Sequence, residues 1–498
     1  MSTGLEKAKS PLGELLSVAG PTVATMTSYT LMTFTDKWLV SRLGAEYVGA
    51  QGNGGLAAWL PQSIAFGVFG VVSTFVSQNF GAGKPERGAA YAWNAVWLAV
   101  VASALLLPYA LALPWIFSAA GMDAGQAVLA EEYGRVLLYG AFLNLSCRAL
   151  SNFFYGMHKA WVVMVAGLSA NAINLVASAV LVFGSGTPPE DLGAFGRWCA
   201  WIAGWLGIEG MGIAGSAWGT VLATGFELLI PAAVFLGPAY HRRYGTRTAW
   251  RWSWAHVKDL LRVGWPAGVM FGNEMVCWGF FMVYLVSHFG AEHASAGWIA
   301  HQYMSLSFMP AVGLSVAVTA IVGKHIGAGR HDVAAARAWL AMRVALAYMG
   351  TCGVLFVVFR EPMVRLFVDS GTPEDVVERV VWLGSWMMVA TAAFQVFDAG
   401  AMVISGALRG AGDTVFPGVA TIVASWSIIV GGGLALIHLA PRLESLGAWI
   451  AAATYIMVLC VVLLLRFRSG RWRSIDLIGR GATPEGAGQS GMVTDGIV

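Results

Sequence analysis

Three acidic residues stand out because each lies inside a long apolar stretch of the chain: Asp36, Glu274 and Asp398. A charged side chain at the centre of a bilayer costs about 2.5–3.5 kcal/mol on insertion scales, so such a residue usually faces a cavity or a partner. Gln395 lies one helical turn before Asp398. Glu274 and Asp398 could share a proton, or bind Na⁺ together with oxygen neighbours such as Gln395. We therefore predict a cation site at these acids, and both chemistries remain open.

Other polar residues in apolar stretches are candidates for lining a cavity. Tyr29 lies two helical turns before Asp36, on the same helical face. Asn171 and Asn174 lie in a later stretch, where an amide that packs helices together is an equally good explanation. The remaining candidates, which share one helical face, are Gln302 and Met309.

The composition is that of a membrane protein. Of 498 residues, 57% are hydrophobic and only 11% are charged, against roughly 25% charged in an ordinary soluble domain. The formal net charge of +3 is too small to indicate a nucleic-acid partner. The five cysteines show no CxxC pair, and the chain has neither HExxH nor GxSxG. We therefore expect no enzyme, no bound cofactor and no structural metal.

Long apolar runs recur along the chain, and a helix needs about 20 such residues to cross a bilayer. We predict an all-α integral membrane protein with twelve transmembrane spans. The predicted spans are 13–40, 51–78, 88–112, 128–155, 160–184, 211–238, 259–287, 296–323, 333–359, 378–407, 415–438 and 446–466.

The distribution of Lys and Arg predicts the orientation of these spans. The segments on the side of the two termini are richer in Lys and Arg than the opposite segments, which indicates cytoplasmic termini. We expect a multi-pass protein of the inner or plasma membrane. On the opposite side, residues 185–210 carry Trp198, Trp201 and Trp205, whose spacing is typical of an interfacial helix.

An internal repeat divides the chain into two halves. WLVSRLGA at 38–45 resembles YLVSHFGA at 284–291, and QNFGAGK at 78–84 resembles KHIGAGR at 324–330, both at an offset of 246 residues. Two such halves of equal orientation predict two six-helix lobes related by a pseudo-two-fold axis along the membrane normal. The predicted parts are an N-terminal lobe at 1–238, a cytoplasmic linker at 239–258, a C-terminal lobe at 259–466 and a disordered cytoplasmic tail at 467–498.

Three strings resemble multidrug and toxic compound extrusion (MATE) transporters: TDKWLVSRLGAEYVGA, QNFGAGKPERGAA and FDAGAMVISGALRGAGDT. The resemblance implies an antiporter that exports amphipathic organic cations in exchange for inward Na⁺ or H⁺, by alternating access of two lobes. We expect it to work as a monomer.

The resemblance also implies roles for individual residues. Glu274 and Asp398 match acidic positions that NorM-type members carry in spans 7 and 10, and Asp36 matches an acid common in span 1. Asn174 matches an asparagine of span 5. Ser178 stands where DinF-type members have a second acid, which weakens the case for a proton site of that kind.

A second interpretation is a flippase for lipids or lipid-linked oligosaccharides of the same superfamily. Such a protein must hold a diphosphate, which calls for several Arg or Lys side chains in the cavity. The spans offer mainly acids, so the sequence favours cationic cargo. We expect Arg148, in span 4, to extend towards the membrane surface or to pair locally, and we assign it no function.

Overall fold

Each apolar run forms a helix, because a helix satisfies its own backbone hydrogen bonds where water is absent. The computed structural model describes residues 10–368 and 373–479, and no β-strand occurs among them. Helices of the first lobe are Pro11–Val40 (span 1), Ala45–Gly70 with Val72–Gly81 (span 2), Pro85–Ala119 (span 3), Ala124–Tyr139 with Ala141–Gly156 (span 4), Ala160–Phe183 (span 5) and Gly212–Leu236 (span 6).

The second lobe repeats this order. Its helices are Trp254–Phe280, continued by a π-helical turn at Phe281–Val286 and a 3-10 turn at Ser287–Phe289 (span 7), Ala291–Gly327 (span 8), His331–Val358 (span 9), Glu374–Ala411 (span 10), Val415–Ala424 with a π-helical Ser425–Gly432 and Gly433–Leu439 (span 11), and Ser445–Arg468 (span 12).

In the described part of the chain, ten helical segments are long and apolar enough to cross a membrane. Spans 1 and 4 do not meet this criterion of length and hydropathy, for local reasons. Span 1 carries Glu14, Asp36 and Lys37 and many hydroxyl side chains, and span 4 is interrupted at Gly140. The predicted all-α fold of twelve spans in two lobes is confirmed.

The contacts between the lobes follow the repeat. Span 1 packs against span 8, and span 2 packs against span 7. The repeat relates span 1 to span 7 and span 2 to span 8, so each contact is the counterpart of the other, as a two-fold axis requires.

We call the side of the molecule that holds the start of span 1 and the end of span 12 the terminal face. There the lobes meet through glycines: a Cβ on Gly81 would lie 1.9 Å from the carbonyl oxygen of Lys324, and one on Gly327 would lie 2.1 Å from that of Gln78. Backbone contact this close needs small residues. The turn Phe281–Val286, at the opposite end of span 7, packs within its own lobe.

One carboxylate also joins the lobes at the terminal face. Glu14 of span 1 lies 3.0 Å from Lys324 Nζ, 3.3 Å from His325 Nε2 and 2.8 Å from Arg337 Nε. These three partners belong to spans 8 and 9 of the second lobe. The arrangement is a cross-lobe ion cluster, which we call the Glu14 cluster.

The segment between the lobes lies against span 3. After the short helix Pro238–Tyr244, the indole N–H of Trp93 donates to the carbonyl of Thr246 (2.6 Å), and that of Trp97 donates to the carbonyl of Trp250 (2.7 Å). The linker predicted at 239–258 is therefore held on the terminal face.

Two peripheral segments complete the description. Residues Gly193–Leu206 form the helix expected within 185–210, with its three tryptophans exposed. Residues Arg471–Ser474 form a 3-10 helix in which Trp472, 1% exposed, stacks on Phe467. The predicted disorder of 467–498 is therefore wrong as far as residue 479, because this aromatic pair anchors the segment, and 480–498 lie outside the described residues.

Candidate functional site

The second lobe brings Glu274 of span 7 and Asp398 of span 10 together. Both are half-buried, and their charges interact. Among the described residues, no side chain or backbone group donates a hydrogen bond to either carboxylate. Neither carboxylate is among the fully enclosed polar groups, so both border accessible space. These are two acids without protein partners in one lobe.

Neighbouring residues hold the helices around this pair. Tyr455 of span 12 is buried and lies near both acids. Asn273, beside Glu274, donates to Ser425 Oγ (2.9 Å) and accepts from the indole N–H of Trp426 (2.7 Å). Asn273 thereby fixes span 7 against span 11 and leaves the adjacent carboxylate free.

Gln395 is 1% exposed, so it is more deeply buried in the protein than we expect of a residue that lines a cavity. Its Nε2 donates to Ser307 Oγ of span 8 (2.7 Å), and its Oε1 is enclosed without a partner. The structure does not connect Gln395 to Glu274 or Asp398, and its predicted part in Na⁺ binding stays a prediction. Gln302 is exposed and Met309 is half-buried, and neither is joined to the acids by a hydrogen bond in the described chain.

Asp36 has the opposite surroundings. It is 5% exposed and accepts hydrogen bonds from Asn174 Nδ2 (3.4 Å), Ser178 Oγ (3.2 Å) and Thr220 Oγ1 (3.1 Å). The Thr220 hydroxyl also lies 3.1 Å from the carbonyl oxygen of Ser216, so its single proton serves one acceptor at a time. The structure places Asn174 beside Asp36, and both carboxylate oxygens have donors.

The positions of these donors follow from the helices. Asn174 and Ser178 are four residues apart, so they lie on one face of span 5. Span 6 approaches that face closely at two glycines that have no side chain to keep the helices apart. A Cβ on Gly219 would lie 2.3 Å from Ser178 Oγ, and one on Gly215 would lie 2.4 Å from the carbonyl oxygen of Leu181. Two glycines thus bring Thr220 within reach of Asp36.

A third polar cluster lies two turns from Asp36 along span 1. The Tyr29 hydroxyl donates to Glu227 Oε1 (2.5 Å), and the Arg148 guanidinium lies 4.4 Å from the Tyr29 ring centroid and 4.9 Å from that of Phe66. Nearby, Asn171 Nδ2 donates to the carbonyl of Ser28 (2.9 Å) and so joins span 5 to span 1. The predicted cavity residues Tyr29 and Asn171 therefore both have protein partners.

Sequence reasoning missed two of these residues. Glu227, 4% exposed, stands within the apolar run GTVLATGFELLIPAAV, and the criterion that selected Asp398 would have selected it too. Thr220 gave no such signal, because a threonine is common in membrane helices and only the packing of span 6 on span 5 brings it to Asp36.

The acids do not form a many-ligand metal centre. In residues 10–368 and 373–479, no group of three or more His, Cys, Asp or Glu side chains could hold a metal ion together. Two carboxylates and neighbouring oxygens suit a proton or a monovalent cation better than a tightly coordinated divalent ion.

Comparisons with known proteins agree with this architecture. The MatE family model matches residues 21–180 and 269–432. Proteins named "Probable multidrug resistance protein NorM" are 27% identical over 459 residues in Mesorhizobium japonicum (91% of this chain and 92% of the relative) and 28% identical over 483 residues in Pseudomonas putida (94% and 96%).

Solved structures have the same fold. A crystal structure of a MATE protein in its straight conformation aligns with a TM-score of 0.78 at 21% identity, covering 95% of this chain and 100% of the other. The eukaryotic MATE transporter AtDTX14 aligns with a TM-score of 0.78 at 18% identity, covering 93% and 96%.

Proposed function

The chain belongs to the MatE family, and from that premise we propose that it exports amphipathic organic cations in exchange for Na⁺ or H⁺. It is a multi-pass membrane protein of a transporter family whose relatives bear the name multidrug resistance protein. In this proposal a single chain performs the transport and needs no cofactor beyond the coupling ion.

The observation that carries the proposal is the pair of unpartnered acids in the second lobe. Glu274 and Asp398 keep their carboxylates accessible and lack hydrogen-bond donors among the described residues. Two carboxylates whose charges interact favour a bound cation over the empty site, whether that cation is a coupling ion or the charged end of a cargo molecule. Coupling then follows from competition, because ion and cargo cannot both occupy the pair.

The contacts between the lobes support alternating access. The lobes are held together at the terminal face by the Glu14 cluster and by the close approach of Gly81 and Gly327 to the other lobe. We take the terminal face as cytoplasmic, in accordance with the distribution of Lys and Arg. The conformation is then closed towards the cytoplasm, and export requires these contacts to separate so that cargo enters from that side.

A flippase for diphosphate lipids is less well supported. Such cargo calls for several cationic side chains around the cavity. The cross-lobe cations Lys324 and Arg337 lie at the terminal face, where Glu14 pairs with them, and the acids Glu274 and Asp398 would repel a diphosphate.

Efflux of a fluorescent cation from proteoliposomes tests the proposal. With the purified protein, ethidium should move against its gradient when an inward Na⁺ or H⁺ gradient is imposed, and each gradient is applied separately with the other ion balanced. Protein-free vesicles and vesicles with a dissipating ionophore are the controls. Movement of ethidium that neither gradient drives, or better transport of neutral or anionic cargo, would contradict the proposal.

A further inference from the structure

Two basic residues lie on an exposed side of span 7, near its start at the terminal face. Lys258 and Arg262 are four residues apart, so they are neighbours on the helix surface, and both are exposed. Among the described residues, no carboxylate oxygen lies within 4.0 Å of either cation, and neither donates a hydrogen bond. Asp259, beside Lys258, accepts the hydroxyl of Tyr91 of span 3 instead (2.8 Å). Two neighbouring cations therefore lack a protein counter-ion.

Tryptophans lie about one turn before and one turn after the two cations, and their indoles are exposed. With two apolar side chains they form a concave surface of about 500 Å³, which we call the span 7 groove. Its lining residues are Trp254, Val257, Lys258, Leu261, Arg262 and Trp265. In a bilayer, Trp favours the level of the headgroups, and Lys and Arg on the membrane surface attract anionic lipids. The groove thus combines the side chains that suit a charged headgroup.

An apolar track continues from the groove along the membrane-spanning part of span 7. Val269 lies one turn beyond Trp265, and Val276 lies two turns further. Both valines are exposed and lie on the side of the helix that carries the groove. A free phosphate ion would contact only the cations, whereas a phospholipid would contact the cations with its headgroup and the track with an acyl chain. The track therefore favours a lipid as the occupant.

Neighbouring helices border this side of span 7 without covering it. Span 2 packs on one flank, where a Cβ on Gly268 would lie 2.5 Å from the carbonyl oxygen of Ile64. Span 11 packs on the other flank, where a Cβ on its Gly418 would lie 3.0 Å from the carbonyl oxygen of Pro266. By the helical period, the exposed side lies between Pro266 and Gly268. The groove and the track therefore face the surrounding membrane between spans 2 and 11.

The fold itself does not require these charges. At the offset of 246 residues, Lys258 and Arg262 correspond to Leu12 and Leu16 at the start of span 1. Both leucines are exposed, so the equivalent helix start of the first lobe presents an apolar surface at the same level. A general need for basic residues at this end of a helix would apply to both lobes. The basic groove is thus a property of span 7.

We propose that the span 7 groove binds an anionic phospholipid from the leaflet at the terminal face. Lys258 and Arg262 bind the headgroup phosphate through charge-assisted hydrogen bonds, the two tryptophans pack at headgroup level, and an acyl chain lies along Val269 and Val276. The inference does not depend on the cargo or the coupling ion. Glu274 lies nine residues beyond Trp265, on the opposite side of the helix.

Binding of a phosphatidylglycerol with a fluorescent acyl chain to the purified protein in detergent micelles tests the proposal. Phosphatidylcholine with the same chains is the comparison lipid, because it has a phosphate but no net charge. Fluorescence anisotropy measures both affinities. The wild-type protein should prefer phosphatidylglycerol by about tenfold or more. The double substitution Lys258→Gln with Arg262→Gln should weaken its binding by about tenfold to a hundredfold, the range for lost hydrogen bonds to a charged group, and leave the weaker binding of phosphatidylcholine within about threefold.

A matched pair of cations provides the control. Lys84→Gln with Arg330→Gln removes one lysine and one arginine from exposed positions at the starts of spans 3 and 9, and should leave both affinities within about threefold. Arg262→Gln alone should weaken binding of phosphatidylglycerol by about tenfold, and it carries the test if the double variant does not fold.

Three results would overturn the proposal. The first is a wild-type protein that does not prefer phosphatidylglycerol. The second is equal weakening by the two double variants, since net charge alone would then attract the lipid. The third is complete displacement of phosphatidylglycerol by millimolar inorganic phosphate, which would indicate a site for a free anion. Each of these results would leave ethidium efflux, and with it the proposed export function, untouched.

Discussion

The acids of the two lobes have opposite environments. Asp36 in the first lobe is enclosed and accepts hydrogen bonds from Asn174, Ser178 and Thr220. Glu274 and Asp398 in the second lobe have no donors among the described residues and border accessible space. The same kind of side chain is thus already satisfied by protein in one lobe and available to a ligand in the other.

The fold repeats between the two lobes, but the positions of the acids do not. At the offset of 246 residues, Asp36 corresponds to Met282, and Glu274 corresponds to Ser28. The motifs that recur are glycine turns at helix ends, which shape both lobes in the same way. The acids inside the lobes do not recur, so each lobe carries its own site on a shared scaffold.

Loss of the charge of Asp398 should have the largest effect. Asp398→Asn keeps the size of the side chain but leaves Glu274 as the only charge at the pair, so ion and cargo no longer compete for one doubly charged site. We expect export of ethidium against a gradient to fall to the level of protein-free vesicles, while the protein still reaches the membrane. Ethidium efflux from vesicles that contain equal amounts of protein measures this.

The partner acid provides the control for that prediction. Glu274→Gln should act similarly, and the double substitution should be little worse than either alone, because residues that act as a unit are not additive. Normal export by a well-expressed Asp398→Asn protein would mean that the acid is structural.

Loss of the charge of Asp36 should have a smaller effect, mainly on stability. In Asp36→Asn one side-chain oxygen becomes an N–H donor, which then faces the donors of Ser178 or of Asn174 and Thr220. A mismatched buried polar group costs about 1–3 kcal/mol, so the free energy of unfolding should fall by that amount and export should fall only several-fold. Thermal unfolding in detergent and ethidium efflux measure the two effects.

An exposed acid of the second lobe is the matched control for Asp36. Asp332 pairs with Arg473 at 3.0 Å and its side chain is 91% exposed, so Asp332→Asn should leave stability and export unchanged. If Asp36→Asn folded normally and abolished export as completely as Asp398→Asn, the first lobe would take part in coupling and the contrast between the lobes would fail.

The sequence predicted the scaffold well because apolar length and the repeat are local or periodic signals. The twelve spans and the two lobes needed only apolar length, the internal repeat and the resemblance to a family. The cluster of Tyr29, Arg148 and Glu227 could not be predicted, since it joins spans 1, 4 and 6 through their packing. The burial of Gln395 against Ser307 was missed for the same reason: spacing alone does not show how far a side chain lies from a cavity.

The central claim is that the coupling ion and the cargo compete for Glu274 and Asp398. Displacement of the ion by cargo tests this claim most directly. Purified protein in weakly buffered detergent is titrated with ethidium, and proton release and loss of bound radiolabelled Na⁺ are recorded. We predict that ethidium displaces one of these ions from the wild-type protein and from Asp36→Asn, and that Asp398→Asn and Glu274→Gln show no displacement. The opposite result would be full ion displacement from the double variant of Glu274 and Asp398 and no displacement from Asp36→Asn. It would contradict the account and move the coupling site to the first lobe.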